Sequence, residues 1–442
     1  MSAEVDFNKY DRLIDKIHLS RDSGKVIEVK GLLVKGYLPG ASLGSLVEIF
    51  PQEYDETIMA EVVGFQDKHV LMMSLGDMRG VSLGSKIILA RSIATVKASD
   101  QLLGRVIDGL GLPLDKGSEI ETFEERPLYK QVRNPLERRP IRQPLDLGIR
   151  AINGLLTVGL GQRVSIMAGS GVGKSVLLGM MAKNTKADVN VIAMIGERGR
   201  EVREFIENDL GEEGLKRSVV VCVTSDQSPL LRMRGAFVAT ALAEYFCEQG
   251  KNVLLMMDSV TRFAMAQREI GLSIGEPPST KGYTPSVFST LPKLLERAGS
   301  YENEGSITGL YTTLVEADDN NDPIGDAVRS IVDGHIVLSR ALAHKAHYPA
   351  VDVLQSSSRV MKSVSPPEQI KWAQMIKEIL ATYKDAEDLI NIGAYKAGSN
   401  PRIDRAVKSI DQINEFLRQR VDDPTDYQMT LRMMQQILVS SS

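Results

Sequence analysis

The stretch Ala168-Gly169-Ser170-Gly171-Val172-Gly173-Lys174-Ser175 constrains this chain more than any other. It follows an apolar run at 163–167 that reads as a strand, and it opens an apolar helical run that starts at Val176. Its glycines let backbone N–H groups turn toward a phosphate, and the helix N-terminus adds its positive dipole end. Strand, loop and helix in this order belong to a parallel α/β sheet, in which ligands bind beyond the carboxyl ends of the strands. Lys174 stands where a side chain meets the β- and γ-phosphates of a nucleotide, and the Ser175 hydroxyl stands where Mg2+ is held. The general pattern begins with glycine, and here Ala168 fills that position. Alanine is small, and the loop proper, 169–175, is intact.

The flanking sequence extends this reading. Strands and helices alternate from Gly148 to about Val364, with strands expected at 163–167, 189–195, 218–224, 252–258, 307–315 and 334–338. The strand ending at Asp258 presents a carboxylate suited to organising Mg2+, although Asp258 could equally cap the following helix. The strand at 189–195 runs into Gly196-Glu197-Arg198-Gly199-Arg200-Glu201. Glu197, at a strand's C-terminal end, could polarise an attacking water. Spacing alone leaves a capping or surface carboxylate in a charged turn equally open.

Other segments have a different character. Residues 23–96 hold short runs at 25–29, 46–49, 58–64, 69–73 and 86–90 between glycines and turn residues, which predicts a small β-barrel. A connector rich in proline and arginine follows. From Pro366 onward strand signals vanish, and helices are expected at 368–383, 386–392, 402–418 and 425–438. In residues 1–22, Tyr10, Leu13, Ile14 and Ile17 recur at helical spacing between charges, which predicts a short amphipathic helix. Packing on its own domain and docking on a partner are both open for it.

Composition excludes several classes. Lys and Arg total 53 against 57 Asp and Glu, a net charge of −4, too balanced for a general nucleic-acid coat. The barrel has few aromatics, so an assembly role is preferred for it and no specific nucleic-acid partner is expected. The two cysteines, Cys222 and Cys247, sit in apolar stretches and are expected as buried free thiols of a reducing compartment. His335, His344 and His347 lack zinc-type spacing and are expected to be structural. No run approaches the ~20 apolar residues that cross a bilayer, and the charged N-terminus lacks a signal-peptide region. A cytoplasmic protein is expected.

Long stretches then carry a resemblance: AGSGVGKSVLLGMM (168–181), IGERGREVREF (195–205), MMDSVTRFAMAQREIGL (256–272), GEPPSTKGYTPSVFSTLPKLLERAG (275–299), DPIGDAVRSIVDGHIVLSR (322–340) and HYPAVDVLQSSSRVM (347–361). Over nearly its whole length the chain resembles the bacterial flagellar protein-export ATPases. Their wider family includes virulence type III secretion ATPases and the catalytic subunits of F- and V-type rotary ATPases. The resemblance implies an α/β fold class: a RecA-like P-loop ATPase core (97–365) with an N-terminal β-barrel (23–96) and a C-terminal helical domain (366–442). It implies Mg-dependent hydrolysis of ATP. Residues 169–176 (Gly169, Ser170, Gly171, Val172, Gly173, Lys174, Ser175 and Val176) would bind nucleotide, and Ser175 and Asp258 would hold Mg2+. Glu197 would position the hydrolytic water beside Lys174, and Arg198 would help organise the site. Arg262 would sense the γ-phosphate, Tyr348 would stack on adenine, and Arg359 would reach a neighbouring subunit's nucleotide. The implied assembly is a homo-hexamer with a coiled-coil stalk protein in its channel and a regulatory subunit on the N-terminal helix. It would work with an export gate, exported flagellar proteins and their chaperones, peripherally at the inner face of the cytoplasmic membrane.

Relatives of other function are weighed by the same residues. An RNA translocase should carry an aromatic, basic barrel. A rotary synthase is disfavoured by GEPPSTKGYTPSVF and by Glu197 and Arg359 occurring on one chain. The segment IGAYKAGSNP (392–401) resembles the flagellar form more than the virulence form.

Overall fold

The computed structural model describes residues 22–52, 56–315 and 322–440, so the helix expected within residues 1–22 lies outside the described residues. The chain divides into two compact units, one of residues up to Ala94 with Leu272–Glu276, the other of Thr95–Gly271 with Pro277–Ser442.

In the first unit, β1 (Ser23–Lys30), β2 (Leu33–Tyr37), β3 (Leu46–Phe50), β4 (Ile58–Gln66), β5 (His69–Ser74) and β6 (Lys86–Arg91) close a barrel in the order β1-β2-β5-β4-β3-β6. The alternating side chains Val26, Val34, Val47, Ile49, Val62, Met72 and Ile87 fill it. The sequence pattern omits β2. Lys35 and Gly36 dilute its apolar signal, yet Val34 points fully inward while Lys35 reaches Gln66 at 3.2 Å on the outer face.

The second unit is built on one sheet. After β7 (Thr95–Ala98), β8 (Val106–Ile107) and β9 (Glu124–Pro127), the sheet strands are β10 (Arg163–Ala168), β11 (Val189–Glu197), β12 (Ser218–Thr224) and β13 (Asn252–Asp258). They continue as β14 (Gly299–Ser300), β15 (Ser306–Leu314), β16 (Gly334–Leu338) and β17 (Val351–Ser358). The order is β17-β16-β10-β15-β13-β11-β12-β8, parallel from β16 to β8, with β14 paired to β15. The six expected strands are β10 to β13, β15 and β16. They read well because both faces are covered, so apolar residues run almost unbroken. β17 is missed because it is an antiparallel edge strand rich in Asp, Gln and Ser, with one side in water.

The C-terminal segment is helical: Pro367–Asn391, Pro401–Leu417 and Tyr427–Ser440. The expected helices at 368–383 and 386–392 are one. The link Lys384–Asp385 contains neither glycine nor proline, and Ala386 is buried along the same face, so nothing interrupts the helix. These helices share a hydrophobic core with the sheet, in which Ile376, Ile413, Phe416 and Met434 pack with Ile152, Leu155 and Met181. Two buried glutamines tie them to the short helix Arg150–Leu155. Gln369 donates to the Asn153 and Gly154 carbonyls near its C-terminal end, and Gln419 accepts from the Arg150 N–H at its start. Cys222 and Cys247 are free and buried, and burial pushes their thiols up to about 11 and about 12.

The long helix Pro229–Glu248 carries an interior ion pair. Glu244 meets the Arg297 guanidinium through two 2.8 Å hydrogen bonds, and Arg297 also donates to the Leu128 carbonyl. Removing one partner strands the other charge in the interior. Glu244→Ala is therefore expected to lower stability by about 3–5 kcal/mol in urea unfolding, and a loss under about 1 kcal/mol would contradict this assignment.

Candidate functional site

Four neighbouring strands end side by side and carry the polar groups of the site. β10 leads into the loop 169–175, whose Gly171 and Gly173 have φ of 77° and 84°. A side chain at either would strain the turn that aims the loop's amides inward. Gly173 precedes the helix Lys174–Asn184, so Lys174 starts that helix. Its side chain crosses β15 to the end of β13. There its Nζ donates to Asp258 Oδ1 at 2.5 Å and stands 3.7 Å from Glu197 Oε1, at the end of β11. One ammonium thus serves two carboxylates.

Asp258 is 3% exposed, and its carboxylate is held by a second donor. The Thr312 hydroxyl on β15 donates to Asp258 Oδ1 at 2.7 Å and lies 3.3 Å from the Met257 carbonyl. Pairing of Met257 with Tyr311 and of Met194 with Asp258 sets this register. Sequence reasoning missed Thr312. The available signal was weak: Thr312 is one of several hydroxyl residues in a buried strand, each of which needs a partner.

Gly196 shapes the approach to Glu197. Its φ is 72°, and a β-carbon there would come within 2.9 Å of Arg262 Cβ. Glycine lets the Arg262 stem lie against the strand end, where its charge acts on Glu197. Among the described residues, no protein group hydrogen-bonds the buried Arg262 Nε. Burial and the neighbouring Asp258 charge raise the Glu197 carboxyl to about 7, against the opposing pull of Lys174 and Arg262.

The remaining expected residues divide. Ser175 and Val176 are exposed at the helix start. The Tyr348 ring carbons Cδ1 and Cε1 lie 3.5 Å from where a β-carbon on Gly173 would stand. Tyr348 lines a cavity of about 1720 Å3 with Gly171, Gly173, Val176, Arg150 and Phe416. Sequence reasoning did not identify Arg150 or Phe416 as part of this cavity. It also missed Arg340, whose Nη2 lies 3.1 Å from where a β-carbon on Gly169 would stand. The Arg198 side chain is 81% exposed and meets Glu201 at 3.3 Å, outside the Lys174 cluster.

Arg359 is exposed at the other end of the sheet. Gly334, at the start of β16, pairs with Ser358, and the Arg359 N–H donates to the Asp333 carbonyl. The phosphate loop leaves β10 beyond the pairing of Ala168 with Leu338, at the end of β16. Four residues of strand separate these levels, on the order of 13 Å. Arg359 therefore sits at the edge opposite its own chain's phosphate loop.

Comparisons with known proteins find matching domains. The nucleotide-binding domain of the ATP synthase alpha/beta family matches residues 148–358, and the T3SS EscN ATPase C-terminal domain matches residues 365–436. The chain is 52% identical over 425 residues to the flagellum-specific ATP synthase of Bacillus subtilis (strain 168), covering 94% of this chain and 96% of that protein. It is 48% identical over 414 residues to the type 3 secretion system ATPase of Sinorhizobium fredii, covering 94% and 92%. The solved structure of the assembled ATPase EscN from the enteropathogenic E. coli type III secretion system has a TM-score of 0.88 at 46% identity, over 94% of this chain and all of that one. A second, of EscN in complex with its central stalk EscO, has a TM-score of 0.87 at 45% identity, again over 94% of this chain and all of that one.

The raised Glu197 carboxyl has a thermodynamic consequence. The folded state holds this proton more tightly than the unfolded chain does. The resulting stabilisation is complete below the ordinary glutamate range and is lost as pH rises through about 7. In nucleotide-free protein, Glu197→Gln is expected to flatten the fall in stability between pH 5 and pH 8 by on the order of 2 kcal/mol. Urea unfolding across that range tests this, and parallel profiles for parent and variant would refute it.

Proposed function

We propose that this chain, which belongs to the ATP synthase alpha/beta family and within it to the flagellar and type III secretion ATPases, is the ATP-hydrolysing subunit of a flagellar-type protein-export ring. The observation that carries the reading is the gathering of Lys174, Asp258 and Glu197 at the ends of neighbouring strands beside an intact phosphate loop.

In this reading the loop amides and Lys174 take the triphosphate, and the base enters the cavity beside Tyr348. Lys174 exchanges part of its carboxylate contact for the β- and γ-phosphates. Asp258 and the Ser175 hydroxyl suit Mg2+, which is commonly held by one or two carboxylates together with substrate phosphates. When bound, it neutralises charge developing on the transferred phosphoryl group. Glu197 orients the attacking water and accepts its proton. A carboxyl titrating near neutrality does this in its ionised form and releases the proton to solvent afterwards. Arg262, whose buried Nε has no hydrogen-bond partner among the described residues, suits a sensor of the γ-phosphate. Arg198, exposed and paired with Glu201 outside the Lys174 cluster, would act on the site from its rim.

Arg359 supports the assembly part of the reading. Lying at the sheet edge opposite its own loop, it suits a charge supplied to a neighbour's nucleotide. The solved relative named an assembled ATPase supports a ring of identical subunits, here six. The relative solved with its central stalk supports a coiled-coil protein in the channel. The barrel at 23–96 forms the collar, 97–365 the ATPase domain, and 366–442 the domain nearest the stalk. Residues 1–22 take the regulatory subunit. The ring works at the inner face of the cytoplasmic membrane, with the export gate, exported flagellar proteins and their chaperones. Among the described residues no helix is long and apolar enough to cross a membrane.

Two experiments test these assignments. Glu197→Gln should retain ATP binding while hydrolysis falls by about two to four orders of magnitude, read by nucleotide titration and phosphate release. At the native locus it should abolish filaments with growth unaffected. Turnover within a few-fold of the parent, or normal filaments, would reject the assignment. Arg359→Ala and Lys174→Ala should each be inactive alone. Mixed, they should recover part of the activity, because some interfaces then join an intact loop to an intact arginine. No recovery at any ratio, with mixed rings verified, would exclude action across the interface.

A further inference from the structure

The nucleotide cavity has a wall that the phosphate chemistry does not use. Tyr348 arrives at this cavity from the loop before β17, and the residue is about half exposed, 46%. What fixes its backbone comes from the C-terminal segment. The Gln419 N–H donates to the Tyr348 carbonyl at 2.9 Å.

Gln419 is itself fixed on every polar atom of its side chain, and it is 5% exposed. Its Oε1 accepts from the Arg150 N–H at 2.8 Å. Its Nε2 donates to the Gly148 carbonyl at 2.7 Å and to the Asp423 carbonyl at 2.8 Å. The helix Arg150–Leu155 begins after Ile149, which has no side-chain cap, so Gln419 supplies the acceptor that the first turn lacks. Arg150 returns the contact. Its guanidinium donates to the Phe416 carbonyl at 2.9 Å and to the Arg418 carbonyl, and it pairs with Asp423 at 2.9 Å. Both residues line the cavity.

We infer that Gln419 is a positioning residue for nucleotide recognition: it holds the Tyr348 backbone, and through it the ring, at the distance from the phosphate loop that a bound base requires. The inference rests on the reading of Tyr348 as the residue that stacks on the base. Gln419 lies away from the reacting atoms, since Lys174, Asp258 and Glu197 make their contacts without it. A fully bonded buried amide specifies one arrangement of the elements it joins, and partial loss leaves buried groups unpaired. The effect is therefore directed at binding of the base. Phosphates, water attack and proton transfer are untouched.

The test uses the full chain, assembled, with ATP as substrate and inorganic tripolyphosphate as a competitive ligand that reaches the phosphate loop but has no base. Gln419→Met keeps the side chain's length and removes its hydrogen bonds. Gln419→Glu keeps the acceptor and sets a carboxylate against two carbonyls. For each, KM for ATP is expected to rise about tenfold, the equivalent of about 1.4 kcal/mol, with kcat not reduced and tripolyphosphate inhibition unchanged. Tyr348→Ala should show the same pattern, and adding either Gln419 substitution to it should change KM little further, because both act through one ring.

If Tyr348→Ala raises KM and neither Gln419 variant does, the positioning role is wrong and the base site stands. Weakened tripolyphosphate binding in both Gln419 variants, or effects that simply multiply with Tyr348→Ala, would make Gln419 a general structural tie and overturn the proposal. If Tyr348→Ala leaves KM unchanged, the reading of the base site fails first and the proposal falls with it.

Discussion

The contact between the Lys174 ammonium and the carboxylates of Asp258 and Glu197 is the interaction on which the arrangement depends. It requires β10, β15, β13 and β11 to end at one level, since each residue comes from a different strand or from the loop that follows it. It also requires a donor on the intervening strand, which Thr312 provides by bonding the inner Asp258 oxygen. Two carboxylates near one cation in a buried setting cannot both ionise freely. Glu197, the more loosely held of the two, takes the cost as a carboxyl raised to about 7. The proton affinity that suits Glu197 to acid–base work thus comes from burial and from the acid next to it.

The same sheet sets the phosphate loop and Arg359 at opposite ends. Lys174, Asp258 and Glu197 gather at the carboxyl ends of the parallel strands, whereas antiparallel β17 carries Arg359 back to the opposite end. Under the proposed reading, a neighbouring subunit brings the two together. The C-terminal helices close the third side, through Phe416 and the buried amide of Gln419, and they share one core with the sheet. A shift of those helices would therefore reach the cavity wall at Tyr348 before it reached Lys174.

Much of this was legible in the sequence, for identifiable reasons. The glycine spacing of 169–175 and the unbroken apolar runs of β10, β11, β12 and β13 are local signals, so loop, strands and strand-end acids could be located from residues alone. Glu197 was ambiguous, because a glutamate in a charged turn has the same spacing whether or not it faces a nucleotide. Its neighbours Lys174 and Asp258 are distant in sequence. Arg150 and Gln419 were not legible at all, and Thr312 offered only a hydroxyl in a buried strand. Gln419 and Arg150 meet across 269 positions, and neither has a local pattern to mark it. β2 and β17 escaped because polar residues on their outer faces hide the inward alternation. The helix break expected near 384–385 was a misreading of two charged residues that a solvent-facing helical turn accommodates.

The most direct measurement of the account is ATP turnover per subunit as a function of protein concentration, with light scattering on the same samples to give the fraction in rings. If the arginine at the far edge of the sheet completes a neighbour's site, turnover per subunit rises in proportion to the ring fraction and is near zero where only monomers are present. Constant turnover across a range in which scattering shows monomers giving way to rings would contradict a site shared between subunits.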